Sequence, residues 1–341
     1  VVSLTVDDSG ELPLPWLAAP LADVLARQRG HALMLHGPAG IGTLHFGLAL
    51  AQAWLCEAAA APGTPRPCGR CGSCRLVQSH GHPDLFVLLP ETLRQQHAWP
   101  LADDKPESED GKKKPSKQIR IDEVRSAIDW VGKTSARGRG KVVLLHPAEA
   151  LNLQAASALL KTLEEPPPGT RVLLGVADPA NLLPTVRSRC QRVPLPPPTQ
   201  AEATRWLAEQ GVKDAEVLLA AASGRPLEAQ ALAAAGIDGA AWTALPRAVA
   251  NGQGGALNGW PPPRAIDALL KLCHDALAIA AGAAPRYFPA AGMPRGAAIG
   301  ALIDWQHELL RVARHDEHPW HEGLLLDALV AQGRSALTLR A

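Results

Sequence analysis

Residues 37–44 read Gly37-Pro38-Ala39-Gly40-Ile41-Gly42-Thr43-Leu44 and follow an apolar run that ends at His36. A glycine-rich turn between a strand and a helix is a setting in which backbone N–H groups cradle phosphate. The working pattern G-x-x-x-x-G-K-[ST] needs a lysine where Thr43 stands and a magnesium-binding hydroxyl where Leu44 stands. Gly37, Gly42, Thr43 and Leu44 therefore mark a vestigial phosphate loop, expected to keep strand-to-helix geometry without binding ATP productively. A later apolar run leads into His146 and Pro147, not into the acidic residues that hold magnesium and activate water. Hydrolysis in this chain is not expected.

Cys56, Cys68, Cys71 and Cys74 have the spacing C-x11-C-x2-C-x2-C, which can place four thiolates around one tetrahedral ion. Pro67, Gly69 and Gly72 supply the tight turns of such a knuckle. Zinc is favoured over an iron–sulfur cluster because the x3-Cys-Pro continuation of ferredoxins is absent, and His80 or His82 could replace Cys56 as fourth ligand. Four protein ligands leave no position for substrate, so the expected Zn2+ is structural. Arg187 and Arg189, in Leu182-Leu183-Pro184-Thr185-Val186-Arg187-Ser188-Arg189-Cys190, read by themselves as solvated or paired surface groups. His315, His318 and His321 have a spacing that admits a metal, but with Pro319 between them they read as the polar start of a helix.

The elements that must position these groups follow from composition and periodicity. A chain of 341 residues, 47% apolar and 20% charged, is globular and long enough for two or three domains. No apolar run approaches the ~20 residues of a membrane helix and no secretory leader is legible, which predicts a cytoplasmic protein. The net charge of +1, from 34 basic and 33 acidic side chains, gives no whole-molecule field for nucleic acid. Apolar runs at 32–36, 85–89, 141–146 and 171–177, with a shorter one near Val193, alternate with helical patterns. That alternation predicts an α/β domain with a parallel sheet covered on both faces. Ile121, Val124, Ile128 and Val131 share one helical face over 121–131, and the pattern recurs over 151–165 until Pro166 stops it.

Between 92 and 117 the pattern lapses into mixed charge, with Lys112, Lys113 and Lys114 in a row, and predicts a mobile insertion. The proline run at 194–198 predicts a connector, and beyond it only helical patterns remain: 199–210, shorter ones to about 236, then 264–281, 297–314 and 321–332. The expected boundaries are 1–196 for the α/β domain with its cysteine module at 56–74, 197–240 for a small helical domain and 241–341 for a larger one.

Taken together, the segment from His31 to Gly42, the cysteine cluster, His82-Pro83-Asp84, Ala158-Leu159-Leu160-Lys161-Thr162-Leu163-Glu164-Glu165-Pro166-Pro167 and Ser188-Arg189-Cys190 resemble the δ′ subunits of bacterial DNA polymerase III clamp loaders, a family within the AAA+ superfamily. The resemblance spans most of the first 195 residues and weakens after 200. It implies an AAA+ domain with an inserted zinc knuckle, then a helical lid and an all-α collar. It implies a stator without its own ATPase activity, in a heteropentamer with δ and three γ/τ subunits. That complex opens the β sliding clamp and places it on primed DNA, and DNA-directed DNA polymerase activity belongs to the holoenzyme. The Ser-Arg-Cys arginine of the family reaches the ATP of a neighbouring γ/τ subunit, a role that falls on Arg189, with Arg187 as substitute. Arg225, in Gly224-Arg225-Pro226-Leu227, lies where ATP-binding relatives carry a nucleotide-sensing arginine. Two other readings stay open: an ATP-driven γ/τ-like motor, marked by tight nucleotide binding, and a zinc-dependent nucleic-acid-binding protein acting alone, marked by salt-sensitive DNA affinity.

Overall fold

Five short runs rich in Val and Leu pair as parallel strands in the computed structural model, which describes residues 2–28, 30–58, 66–100, 115–314 and 321–338. The chain divides into two compact units, Val1–Pro197 and Pro198–Ala341. In the first, β1 (Ala32–His36), β2 (Leu85–Leu88), β3 (Lys141–Leu145), β4 (Thr170–Val176) and β5 (Gln191–Pro194) lie in the order β2-β3-β4-β1-β5. The parallel α/β architecture is the one that the apolar runs predict. β1 is flanked on both sides, with His36 opposite Val176 of β4 and Pro194 of β5.

Helices cover both faces because β1, β3 and β4 are apolar on both. After α1 (Ala18–Arg27), α2 (Thr43–Leu55) lies against one face, and Gly47 allows its approach: a Cβ there would lie 2.7 Å from Leu144 Cδ1. Nearly every residue of α2 is buried. α3 (Gly72–Gln78) and α4 (Glu91–Gln96) follow, and α5 (Ile121–Val131) and α6 (Leu153–Glu164) then cover the opposite face. There Met34, Phe86, Val143 and Leu174 pack with Val124, Ala127, Val131, Ala155, Leu159 and Leu163 in one core. Asn152 caps α6 by accepting the Ala155 N–H at 2.8 Å. α7 (Pro184–Arg187) is a single turn before β5.

The stretch 92–117, expected as an insertion, begins inside α4, and Trp99 beyond it is buried and stacks on His80 with ring centroids 4.1 Å apart. The two ends of the stretch are tied together: the Thr92 N–H donates to Ser116 O at 3.2 Å, and the Ser116 N–H donates to Glu91 Oε2 at 3.0 Å. Arg94 pairs with Glu123 of α5 at 2.9 Å. These fastenings order residues that composition alone leaves open. Residues 101–114, with Lys112, Lys113 and Lys114, lie outside the described residues.

The second unit is helical throughout its described residues: α8 (Gln200–Glu209), α9 (Ala215–Ala221), α10 (Pro226–Ala234), α11 (Gly239–Ala250), α12 (Pro262–Ala280), α13 (Ile299–Ala313) and α14 (Glu322–Thr338). Thr199 and Glu202 form a capping box at the start of α8. α11 packs on both α9 and α14. Asp275, fully buried in α12, accepts the N–H groups of Arg286, Tyr287 and Phe288 at 2.7–2.9 Å. Among the described residues no helix is long and apolar enough to cross a membrane.

Three histidines from different elements of the first unit lie close enough to oppose one another's charge: His45 in α2, His97 after α4 and His146 after β3. Burial, reinforced by His97 and His146, lowers the pKa of His45 to about 3; burial and His97 lower that of His146 to about 4. Both stay neutral in the folded chain, whereas in the unfolded chain they take up protons below the ordinary 6.5. Stability is therefore expected to fall as pH drops from 6.5, levelling near pH 4 for His146 and near pH 3 for His45. In urea unfolding between pH 4 and 6, replacing either histidine with Gln should flatten the pH dependence by up to about 1.4 kcal/mol per pH unit. Equal slopes in wild type and variants would remove this assignment.

Candidate functional site

The glycine loop leaves β1 at its C-terminal end, where Gly37 N–H donates to Val176 O at 3.2 Å. Gly40 and Gly42 have φ of 82° and 101°, left-handed values that disfavour any side chain, and Gly42 is the N-cap of α2. The space beside Gly42 is filled: a Cβ there would lie 2.2 Å from Leu14 Cδ1 and 3.3 Å from Leu17 Cδ1. Trp16 donates its indole N–H to Ile41 O at 2.9 Å. Thr43 and Leu44, at the positions of the missing lysine and hydroxyl, are buried in the first turn of α2. His146 stands beyond β3 and is held neutral by burial, so neither a cation for outer phosphates nor a carboxylate for magnesium is present at these positions.

The cysteine cluster comes together as its spacing predicts. The Sγ atoms of Cys56, Cys68, Cys71 and Cys74 all lie within 4.8 Å of one another, with 3.9 Å from Cys71 to Cys56 and 4.0 Å from Cys68 to Cys74. Four thiolates about 2.3 Å from one zinc are about 3.8 Å apart, so the set fits a tetrahedral ion and is too open for a disulfide. Cys68 and Cys71 are partly exposed, while Cys56 and Cys74 are buried. Burial pushes the Cys56 and Cys74 thiols up. At Cys68 burial also raises the pKa, but backbone N–H donors from Arg70 and Cys71, together with the Cys56 and Cys71 thiols, outweigh it and bring the thiol down to about 7. The N–H groups of Glu57 and Cys74 approach Cys71 Sγ at 3.4 Å. The four sulfurs could hold zinc. Neither histidine alternative is among them: His80 stacks on Trp99, and His82 Nδ1 accepts the Asp84 N–H at 3.0 Å.

Residues remote in sequence brace the cluster. Fully buried Asp84 accepts the Ala136 and Arg137 N–H groups at 2.7 and 2.8 Å and the Ser135 hydroxyl at 2.9 Å. The fixed loop aims Arg137 at Glu57, to which its Nε donates at 2.8 Å, and at Ser73 Oγ at 2.9 Å. Gln52 of α2 pairs with both the N–H and the carbonyl of Val6, and Gln78 donates to Val6 O and Gly69 O. Spacing arguments miss Glu57, Arg137, Gln52 and Gln78, because their partners lie up to 80 positions away.

Arg189 sits between α7 and β5. Its Nε donates to Glu164 Oε1 at 2.5 Å, its Nη2 pairs with the same oxygen, and its Nη1 donates to Thr185 O at 2.8 Å. About a third of the side chain is exposed. Gln191, the first residue of β5, pairs with Leu33, four residues before Gly37. Arg189 thus precedes the N-terminal edge of the sheet, whereas the glycine loop follows the C-terminal edge, roughly 13 Å of strand away. Arg187 is half-buried and donates to Pro179 O at 3.3 Å. Arg225 donates to Ala222 O at 2.8 Å at the start of α10. His321 precedes α14; His315 and His318 lie outside the described residues.

A glycine loop after an interior strand of a parallel sheet, with a four-thiol cluster at the far end of the helix that the loop opens, defines an α/β domain of the phosphate-loop type with a candidate structural metal site. The chain belongs to the family described as DNA polymerase III, delta subunit, which residues 21–199 match, more than half of its length. It is similar to the DNA polymerase III subunit delta' of Pseudomonas aeruginosa, 41% identical over 232 residues, covering 65% of this chain and 62% of that one. The delta' subunit of Escherichia coli is 32% identical over 225 residues, covering 64% and 60%. The DNA polymerase III subunit tau of Escherichia coli is 30% identical over 160 residues, 47% of this chain and 20% of that one. The matches thus span less than two thirds of the length of these delta' relatives.

Elemental analysis of the purified chain is expected to find one zinc per molecule. Cys71→Ser, which removes a partly exposed ligand and leaves the buried pair intact, should lose most of it and unfold at a lower temperature. Full zinc retention in that variant would exclude the four-thiolate site.

Proposed function

We propose that the chain is the δ′ subunit of a bacterial DNA polymerase III clamp loader and acts as a stator that lends Arg189 to ATP bound by a neighbouring γ/τ subunit. The observation that carries this reading is the separation of Arg189 from the chain's own loop by the length of the sheet. An arginine at the N-terminal edge cannot serve a phosphate at the C-terminal edge of the same sheet, but its partly exposed side chain suits chemistry across a subunit boundary. The lack of a cation at Thr43, with Leu14 against Gly42, supports the other half: no ATP bound productively here. Kinship with delta' and tau proteins supports the assembly, a heteropentamer of δ, this chain and three γ/τ subunits that loads the β sliding clamp onto primed DNA in the bacterial cytoplasm.

In this reading residues 1–196 form a degenerate AAA+ domain with its zinc module at 56–74 and an insertion at 92–117. Residues 197–240 form the lid and 241–341 the collar, with the second join at the start of α11. Cys56, Cys68, Cys71 and Cys74 hold Zn2+, which when bound cross-links the excursion after α2. In rings reconstituted with δ and γ/τ, Arg189→Ala should slow hydrolysis at the site it faces by roughly 10³-fold or more and lower DNA-stimulated ATPase of the whole ring. An unchanged rate in a fully assembled variant ring would rule out the trans role.

A further inference from the structure

The guanidinium of Arg189 is held by the chain's own acidic side chain. Glu164 Oε1, at the last residue of α6, accepts from Nε at 2.5 Å and from Nη2. Those two N–H groups form one edge of the planar fork, so a single oxygen contacting both fixes the plane of the group as well as its position. Thr185 O takes an N–H of Nη1 at 2.8 Å, and Ser188 Oγ lies 3.5 Å from the same nitrogen. The remaining edge, made by the outer N–H groups of Nη1 and Nη2, has no acidic partner among the described residues. With side chains 32% and 48% exposed, the pair contributes little to folding stability. Orientation is what the contact supplies. A free arginine loses rotamer entropy when it engages a phosphate, and a guanidinium already held in place loses less.

From this geometry we infer that Glu164 is a positioning residue for Arg189: it occupies the Nε edge and presents the Nη1–Nη2 edge outward as a fork for a phosphoryl group held by a neighbouring subunit. The inference rests on the trans role of Arg189 and adds the residue that sets its aim. Glu164 touches no substrate and acts only through Arg189.

The test uses full-length chains in reconstituted rings in which any finger arginines of the γ/τ subunits are replaced by alanine, so that Arg189 is the one remaining finger. Glu164→Ala is expected to lower DNA-stimulated kcat about tenfold while KM for ATP stays within about twofold. Glu164→Gln keeps an acceptor oxygen and should restore the rate to within about threefold of wild type. In the Arg189→Ala background, Glu164→Ala should change nothing further. If Arg189→Ala slows the ring but Glu164→Ala does not, or Glu164→Ala accelerates it, the positioning role is overturned and the trans role stands. A further loss from Glu164→Ala in the Arg189→Ala background also overturns it. If Arg189→Ala itself leaves the assembled ring unchanged, the trans role fails and the positioning role fails with it.

Discussion

Parallel strands give a sheet a direction: whatever precedes a strand lies on one edge, and whatever follows lies on the other. Here β1 and β5 are parallel neighbours in register from Leu33 opposite Gln191 to His36 opposite Pro194. The glycine loop follows β1 and Arg189 precedes β5, so the backbone hydrogen bonds of this one pair keep them apart. No side-chain adjustment within the domain can close that gap without breaking the β1–β5 ladder. The functional reading depends on this constraint more than on any single contact, because it turns an arginine and a phosphate loop in one chain into groups with different partners.

The loop keeps its shape by packing rather than by charge. Its left-handed glycines remain, while Leu14, Leu17 and Trp16 lie against Gly42 and Ile41, and Thr43 and Leu44 are buried at the start of α2. The same N-terminal segment also reaches the cysteine module. Val6 is gripped by Gln52 and Gln78, and Gly69 packs so closely on Asp7 that a Cβ would lie 1.9 Å from the Asp7 carbonyl oxygen. One stretch of backbone thus braces both the loop and the thiol cluster, and Asp84 with Arg137 supports the cluster from another side. Both features read as parts of a rigid body.

What was legible in the sequence is what depends on near neighbours. The strands follow from unbroken apolar runs, the apolar face of 121–131 from its helical period, and the thiol cluster from a spacing that local turns can close. Strand ends differ from expectation by a residue or so, because His146 and Ala177 leave the ladder where the chain turns. Illegible were the contacts between distant segments: Leu14 on Gly42, Arg137 on Glu57, and Glu164 on Arg189, whose partners no period or spacing specifies. α4 and buried Trp99 escaped notice for the same reason, since a charged, proline-containing stretch gives no sign that Glu91, Ser116 and Arg94 will fasten its ends.

Isothermal titration of the isolated full-length chain with magnesium ATP addresses the division of labour directly. No saturable binding up to millimolar nucleotide and no turnover above background are expected. Stoichiometric binding at micromolar affinity, or steady hydrolysis by the chain alone, would contradict it.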